Sequence, residues 1–207
     1  MTRSLAIRFG IVAALTVAAA GYVAFGAIQK RMQQRHVAQV VADSTQKLKQ
    51  ALAPQPPAEL VAALDANLQS AAAPRDRDLA EAAEHYIVGA REIARRRVES
   101  ERLWGRAQAS RQALANHMAA ASQRGTGWLD RAVELKKRVE GDYFDLGVTL
   151  KALDQLLDGF SADEKRLAPL VPPAALLDED IRQNARQQAQ ADAKRAAEEL
   201  ARVRNLR

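Results

Sequence analysis

Apolar positions recur along most of this chain at steps of three, four and seven residues, the spacing of helices that each bury one face. The first apolar stretch is of a different kind. Residues 9–28 read FGIVAALTVAAAGYVAFGAI, twenty positions without a charge, bounded by Arg8 on one side and by Lys30 and Arg31 on the other. At ~1.5 Å per residue a helix of that length covers ~30 Å, the hydrocarbon thickness of a bilayer. The pattern therefore predicts a single transmembrane anchor, with the lipid bilayer as its partner through residues 9–28. A cleaved secretory signal is the competing reading, with the mature chain then beginning near Gly21 or Ala27. The run is long for a signal, and the sequence continues into helical spacing without a break. A buried helix of a soluble protein would need apolar cover on all sides, and nothing else in the chain is apolar enough to supply it.

Beyond the anchor, Val37, Val41, Leu48 and Leu52 carry an apolar stripe to about Ala53, where Pro54, Pro56 and Pro57 end the helix. A short helix follows through Leu60, Leu64 and Leu68. Asp78, with Glu81 three residues on, has the pattern of a capping box and predicts the start of a long helix to about Gln123, interrupted by a polar stretch at residues 99–102. Gly125 and Gly127 supply a turn. From Trp128 to Leu157 the spacing is the most regular in the chain: Ala132, Val139, Leu146 and Leu153 recur every seven, with Leu129, Tyr143, Leu150 and Leu157 between them and Lys136 as the exception. Such a helix must pack on another, and the short turn makes the preceding helix its antiparallel partner. Gly159 and Phe160 are read as the close of this hairpin. A short helix is expected to open at Ser161, and the last helix near Ala174, its far end solvated and frayed.

The fold class expected is all-α: an N-terminal single transmembrane helix followed by an elongated helical bundle or coiled-coil hairpin. Four segments result. Residues 1–30 form the anchor, 31–75 a juxtamembrane helix and proline-rich linker with a short helix, 76–160 the antiparallel hairpin, and 161–207 a short helix and a charged C-terminal helix.

Composition narrows the functional classes. Alanine supplies 44 of the 207 residues and aromatic side chains only nine, so the helices pack through thin seams. Without cysteine the chain has no disulfide, thiolate metal site or thiol nucleophile. The net charge of +6 is concentrated at one end: residues 1–42 hold five basic and no acidic residues, and the remainder 26 basic against 25 acidic. Nucleic acid binding needs a one-signed face, which this body lacks, so no nucleic-acid partner is expected.

Candidate chemistry is sparse. His36, His85 and His117 stand in no metal-binding spacing. Asp142 and Asp145 form a carboxylate pair of a kind helices produce by chance, and Gly125, Thr126 and Gly127 lack the lysine of a phosphate loop. Arg91, Arg95, Arg102 and Arg106 lie along one helical stripe, read as a solvated face neutralised by Glu92, Glu99 and Glu101, with a docking face for an acidic partner as the alternative. No catalytic, cofactor-binding or metal-binding residue is assigned, no cofactor is expected, and the chain is read as no enzyme.

Lysines and arginines nearly balance across the span, with Arg3 and Arg8 before it and Lys30, Arg31 and Arg35 after it. The common bacterial arrangement leaves the short tail inside, which puts the anchor in the inner membrane and the body in the periplasm. The expected role is a structural or interaction protein of the bacterial cell envelope, a scaffold or accessory subunit, joined through its helical faces to a protein partner or to further copies of itself. A ligand-sensing or transport-accessory module acting through a partner is the alternative, as is a secreted helical binding protein if the N-terminus is cleaved.

Overall fold

The computed structural model describes residues 2–71, 76–120 and 125–205, with side chains from Phe25 onward. It is all-helical: α1 (Thr2–Leu52), α2 (Leu60–Ala71), α3 (Arg77–Ala119), α4 (Trp128–Leu167), a 3-10 turn (Pro173–Ala175) and α5 (Glu179–Arg204). The expected anchor and juxtamembrane helix are one helix of 51 residues. Among the described residues no helix is long and apolar enough to cross a membrane. The expected span, residues 9–28, lies outside the described side chains except for its last four positions.

Heptad seams organise the body. Leu79, Tyr86, Ile93, Ser100, Ala107 and Leu114 of α3 are buried at intervals of seven. So are Ala132, Val139, Leu146, Leu153, Phe160 and Leu167 of α4, and Arg182, Ala189, Ala196 and Val203 of α5. A strict seven-residue period keeps each seam facing its neighbours along the whole rod. α3 and α4 run antiparallel, with His117 beside Trp128 at one end and Gly89 against Phe160 toward the other. α5 returns antiparallel to α4, pairing Arg186 with Asp154 near its start and meeting Lys136 through the carbonyl of Arg204 near its end.

These seams correct three expectations. The seven-residue series of α4 continues through Phe160 to Leu167, so the helix passes through Gly159 without closing, and Ser161 donates its hydroxyl to the Asp158 carbonyl from inside the helix. The charged C-terminal helix is not frayed: Ala189, Ala196 and Val203 hold it in the bundle to Arg204. Leu129, assigned by spacing to the α3–α4 seam, is bare at 68% exposure.

Caps shift two starts. Asp76, rather than Asp78, caps α3 by accepting from the Leu79 amide. α5 begins at Glu179, where Asp178 accepts from the Asp180 amide, and not near Ala174. Gly127, at φ 87°, takes the left-handed conformation that begins α4, a backbone angle that disfavours any residue with a Cβ.

The core is divided in two. Near the α1 end, Val37, Val41 and Leu48 of α1 and Leu60 and Leu64 of α2 join α3, α4 and the segment carrying Val171, Ala175 and Leu177. At the distal end only α3, α4 and α5 meet, through Leu103, Leu114, Leu135, Tyr143, Leu146 and Val203. The division falls at the polar stretch 99–102 of α3.

Candidate docking site

At the distal end the three helices do not close completely. Ala115, Ala132 and Val203 are short at the point where α3 ends, α4 begins and α5 finishes, leaving a groove of about 620 Å³. Its apolar wall is Leu114, Met118, Trp128, Leu129 and Val133. Trp128 is held from the α3 side: its carbonyl lies 2.9 Å from His117 Nε2 and the two rings stack with centroids 5.1 Å apart. Arg111, Lys136 and Arg202 line the groove with one acid, Glu199. Glu199 draws Arg111 to 2.9 Å and Arg202 to 2.8 Å, so the cations outnumber the carboxylate that organises them.

The arc of α4 that lines the groove carries further bare apolar residues beyond it. Leu129, Val133, Phe144 and Val148 are 68, 45, 57 and 53% exposed. At ~100° per residue their spacing places all four within an arc of about 100°. Gly141 and Gly147 lie on the same side, each with nothing within 4 Å of where a Cβ would stand. The four form two apolar pairs, Leu129 with Val133 at the groove and Phe144 with Val148 farther along, with the exposed Lys137 and the half-buried Glu140 between them on the same arc. Large apolar side chains grouped and bare in this way mark interaction surfaces. The stripe was legible in principle, because Val133, Phe144 and Val148 fall off the heptad seam, but the seam positions absorb the attention of a periodicity reading.

The residues singled out in the sequence are placed elsewhere. Asp142 is buried between α3 and α4, accepting from the Ser110 hydroxyl at 2.5 Å and paired with Arg106 Nε at 2.7 Å. Arg106 also reaches the exposed Asp145 at 3.1 Å, so the two carboxylates share one guanidinium as a clasp between helices. The arginine stripe is paired throughout: Arg95 with Glu92, Arg102 with Glu99, Arg91 with Asp65 of α2, and Arg106 with the acids of α4. Glu101 takes Arg97 instead. His36 and His85 are exposed, and among the described residues no group of three or more His, Cys, Asp or Glu could hold a metal ion.

Two buried polar clusters escaped the sequence reading, since their members are far apart in the chain. The Tyr86 hydroxyl lies 2.7 Å from Thr45 Oγ1, and Thr45 donates to the Ala175 carbonyl at 2.6 Å. With its single proton spent there, Thr45 must accept from Tyr86, whose oxygen in turn accepts from the Leu177 amide at 3.1 Å. This relay joins α3, α1 and the 3-10 turn. Burial pushes the Tyr86 hydroxyl up to about 12. In the second cluster Arg182, buried on the α5 seam, stands between Glu179 and Glu164 of α4, with Glu164 at 3.4 Å. Burial raises Glu164 to about 7, against the opposing pull of Arg182 and with help from Glu179 and Asp163.

Compared with protein families, with curated proteins and with solved structures, the chain matches none.

Proposed function

We propose that the chain is a single-pass, membrane-anchored helical adaptor of the bacterial cell envelope, a scaffold or accessory subunit that acts by holding another protein and not by catalysis. The interaction role is carried by one observation, the bare Leu129 and Val133 on the wall of the distal groove, with Phe144 and Val148 bare farther along the same arc of α4. Covering the exposed half of each side chain contributes about 1 kcal/mol, which the free chain forgoes. A groove of this shape suits an amphipathic helix, and its excess of cations favours one whose apolar stripe is flanked by acidic residues.

The anchoring role draws support from α1. Residues 9–28 contain no charge. The helix leaves them with Phe25, Ile28 and Met32 at 60, 57 and 65% exposure, whereas Val37, Val41 and Leu48 farther along are buried in the bundle. A helix that is bare and apolar at one end and packed at the other ties a lipid-embedded segment to a folded body. The 43 residues of α3 put the groove ~60 Å from that end. The body is assigned to the periplasmic side of the inner membrane.

A photoreactive residue at Phe144 of the full-length chain, irradiated in native membranes, tests the interaction. It should give one discrete protein adduct, with a probe at Gln108 giving none. Equal labelling at both positions, or none at either, would end the docking reading. Recovery of the intact chain in the soluble fraction without detergent would end the anchor.

A further inference from the structure

A second cleft lies at the opposite end of the body. Arg31, Gln34, Arg35 and Ala38 share one face of α1, at steps of three and four, and face the segment that follows α4, where Pro169, Leu170, Val171 and Pro172 form the opposite wall of a space of about 480 Å³. That wall is held in place. Leu170 and Val171 both donate their amides to the Leu167 carbonyl, at 2.9 and 3.2 Å, and the side chains of Leu167 and Val171 are buried in the core.

The charge of this cleft is of one sign. Two guanidinium groups one helical turn apart line it, and no acidic residue does. Arg31 and Arg35 have no ion-pair partner among the described residues, whereas the arginines of the α3 stripe, Arg91, Arg95, Arg102 and Arg106, all do. The adjacent Lys30 points round the helix to Asp76, at 3.4 Å, and leaves the cleft's balance untouched.

Position along α1 supplies the second argument. If residues 9–28 span the hydrocarbon, Arg31 stands ~5 Å and Arg35 ~10 Å beyond its edge. The headgroup layer on each side of a bilayer is about 5–8 Å deep, so Arg31 stands within it and Arg35 just beyond its outer edge. On the neighbouring arc of the same helix Ile28 and Met32 are bare, Ile28 nearer the hydrocarbon than either arginine and Met32 between the two in height. Cations within and just beyond the headgroup layer, with the bare Ile28 below them, match the two halves of a phospholipid.

We propose that this cleft binds the phosphodiester of an anionic phospholipid, with Arg31 and Arg35 on the phosphate and the acyl chains beside Ile28. The guanidinium fork matches phosphate oxygens. A zwitterionic lipid would bring an ammonium group to a cleft that has no carboxylate to receive it. The inference rests on the anchored reading of residues 9–28.

The full-length chain in detergent, presented with equal amounts of phosphatidylglycerol and phosphatidylcholine and examined by native mass spectrometry, tests it. Wild type should retain phosphatidylglycerol. The double variant Arg31→Gln/Arg35→Gln should hold it roughly tenfold more weakly or worse, and Arg31→Lys/Arg35→Lys should fall between, keeping charge and losing the fork. A double variant with the same change of charge at the distal end, Lys137→Gln/Arg138→Gln, should bind as wild type does. Wild type without preference, or equal loss in the distal variant, overturns the site. Displacement of the lipid by millimolar inorganic phosphate would reassign the cleft to a soluble anion and overturn the lipid. Reconstitution into phosphatidylcholine nanodiscs separates this inference from the one beneath it: a chain that inserts but shows no lipid preference loses the cleft and keeps the anchor. A chain that fails to insert loses the anchor whatever lipid it retains in detergent.

Discussion

Replacing Tyr86 with phenylalanine removes one oxygen and breaks a relay at its middle. The Leu177 amide loses its acceptor inside the protein, at a cost of about 1–3 kcal/mol for a buried donor left without a partner, and the bond to Thr45 is lost as well. A destabilisation of about 2–3 kcal/mol follows, or roughly 4–12 °C in Tm for a body of this size. Thr45→Val acts from the other side, leaving the Tyr86 hydroxyl without an acceptor and the Ala175 carbonyl without a donor, at a similar cost. In the double variant the Tyr86–Thr45 bond is removed once and the stranded Tyr86 hydroxyl no longer exists. The two effects should therefore fall short of their sum by about 1–2 kcal/mol. Urea unfolding of the four proteins at one pH measures all three quantities. Additivity within about 0.5 kcal/mol, or a single variant indistinguishable from wild type, would refute the relay. Alkaline titration adds a check on the same hydroxyl. Its pKa is raised to about 12 in the folded chain, so its contribution is intact below pH ~10 and is lost as the pH climbs toward 12, a loss that Tyr86→Phe should not show.

Glu164, raised to about 7 by burial, binds its proton more tightly in the folded than in the unfolded chain, so stability should fall between pH ~4.5 and ~7 and level off above, by up to about 3 kcal/mol. Glu164→Gln should flatten that slope in denaturant titrations across the range; an unchanged slope would remove the assignment. Gly89→Ala would place a Cβ 2.8 Å from the buried ring of Phe160 and should cost about 1–2 kcal/mol. Gly105→Ala, with nothing within 4 Å, should stabilise α3 by roughly 0.5–1 kcal/mol; calorimetry showing the same sign for both would contradict the packing. Phe144→Ser should leave Tm within about 2 °C of wild type and abolish the adduct formed from a probe at Val133; a large fall in Tm would mean that Phe144 is a core residue. An alkaline phosphatase fused at the C-terminus should be active in cells, and an inactive fusion alongside a fluorescent GFP fusion would reverse the proposed orientation.

The helical class and the α3–α4 hairpin were legible because a seven-residue period is written directly into residues such as Val139, Leu146 and Leu153. Helix ends were less so. Gly159 looks like a stop only if the period is followed no further than Leu157, and the buried Phe160 and Leu167 show it continuing. The start of α3 turned on which of two aspartates, Asp76 or Asp78, faces the first free amide, a choice set by the approach of the chain and not by residue type. The C-terminal helix was misjudged because alanine at Ala189 and Ala196 reads as filler, yet a seam between close helices needs small side chains. The candidate site was half visible: Val133, Phe144 and Val148 stand in the sequence as a second stripe, but only the placement of α5 shows that no element of the described chain covers them. The clasp of Arg106 on Asp142 joins residues on different helices, as does the relay through Tyr86, and no local pattern announces either.

The split core has a consequence for how the rod yields. The distal half has one fewer layer of support, since α1 and α2 end before reaching it, and along α3 its apolar cluster is parted from the other at residues 99–102, where the seam position is Ser100. Local opening is cheapest where fewest apolar groups hold the helices together, so amide exchange should run fastest from the hairpin tip inward and slow abruptly beyond Ser100. The groove sits on the half that breathes. A ligand seated there would be registered less by any change of shape than by a slowing of exchange, spreading from α4 into the ends of α3 and α5.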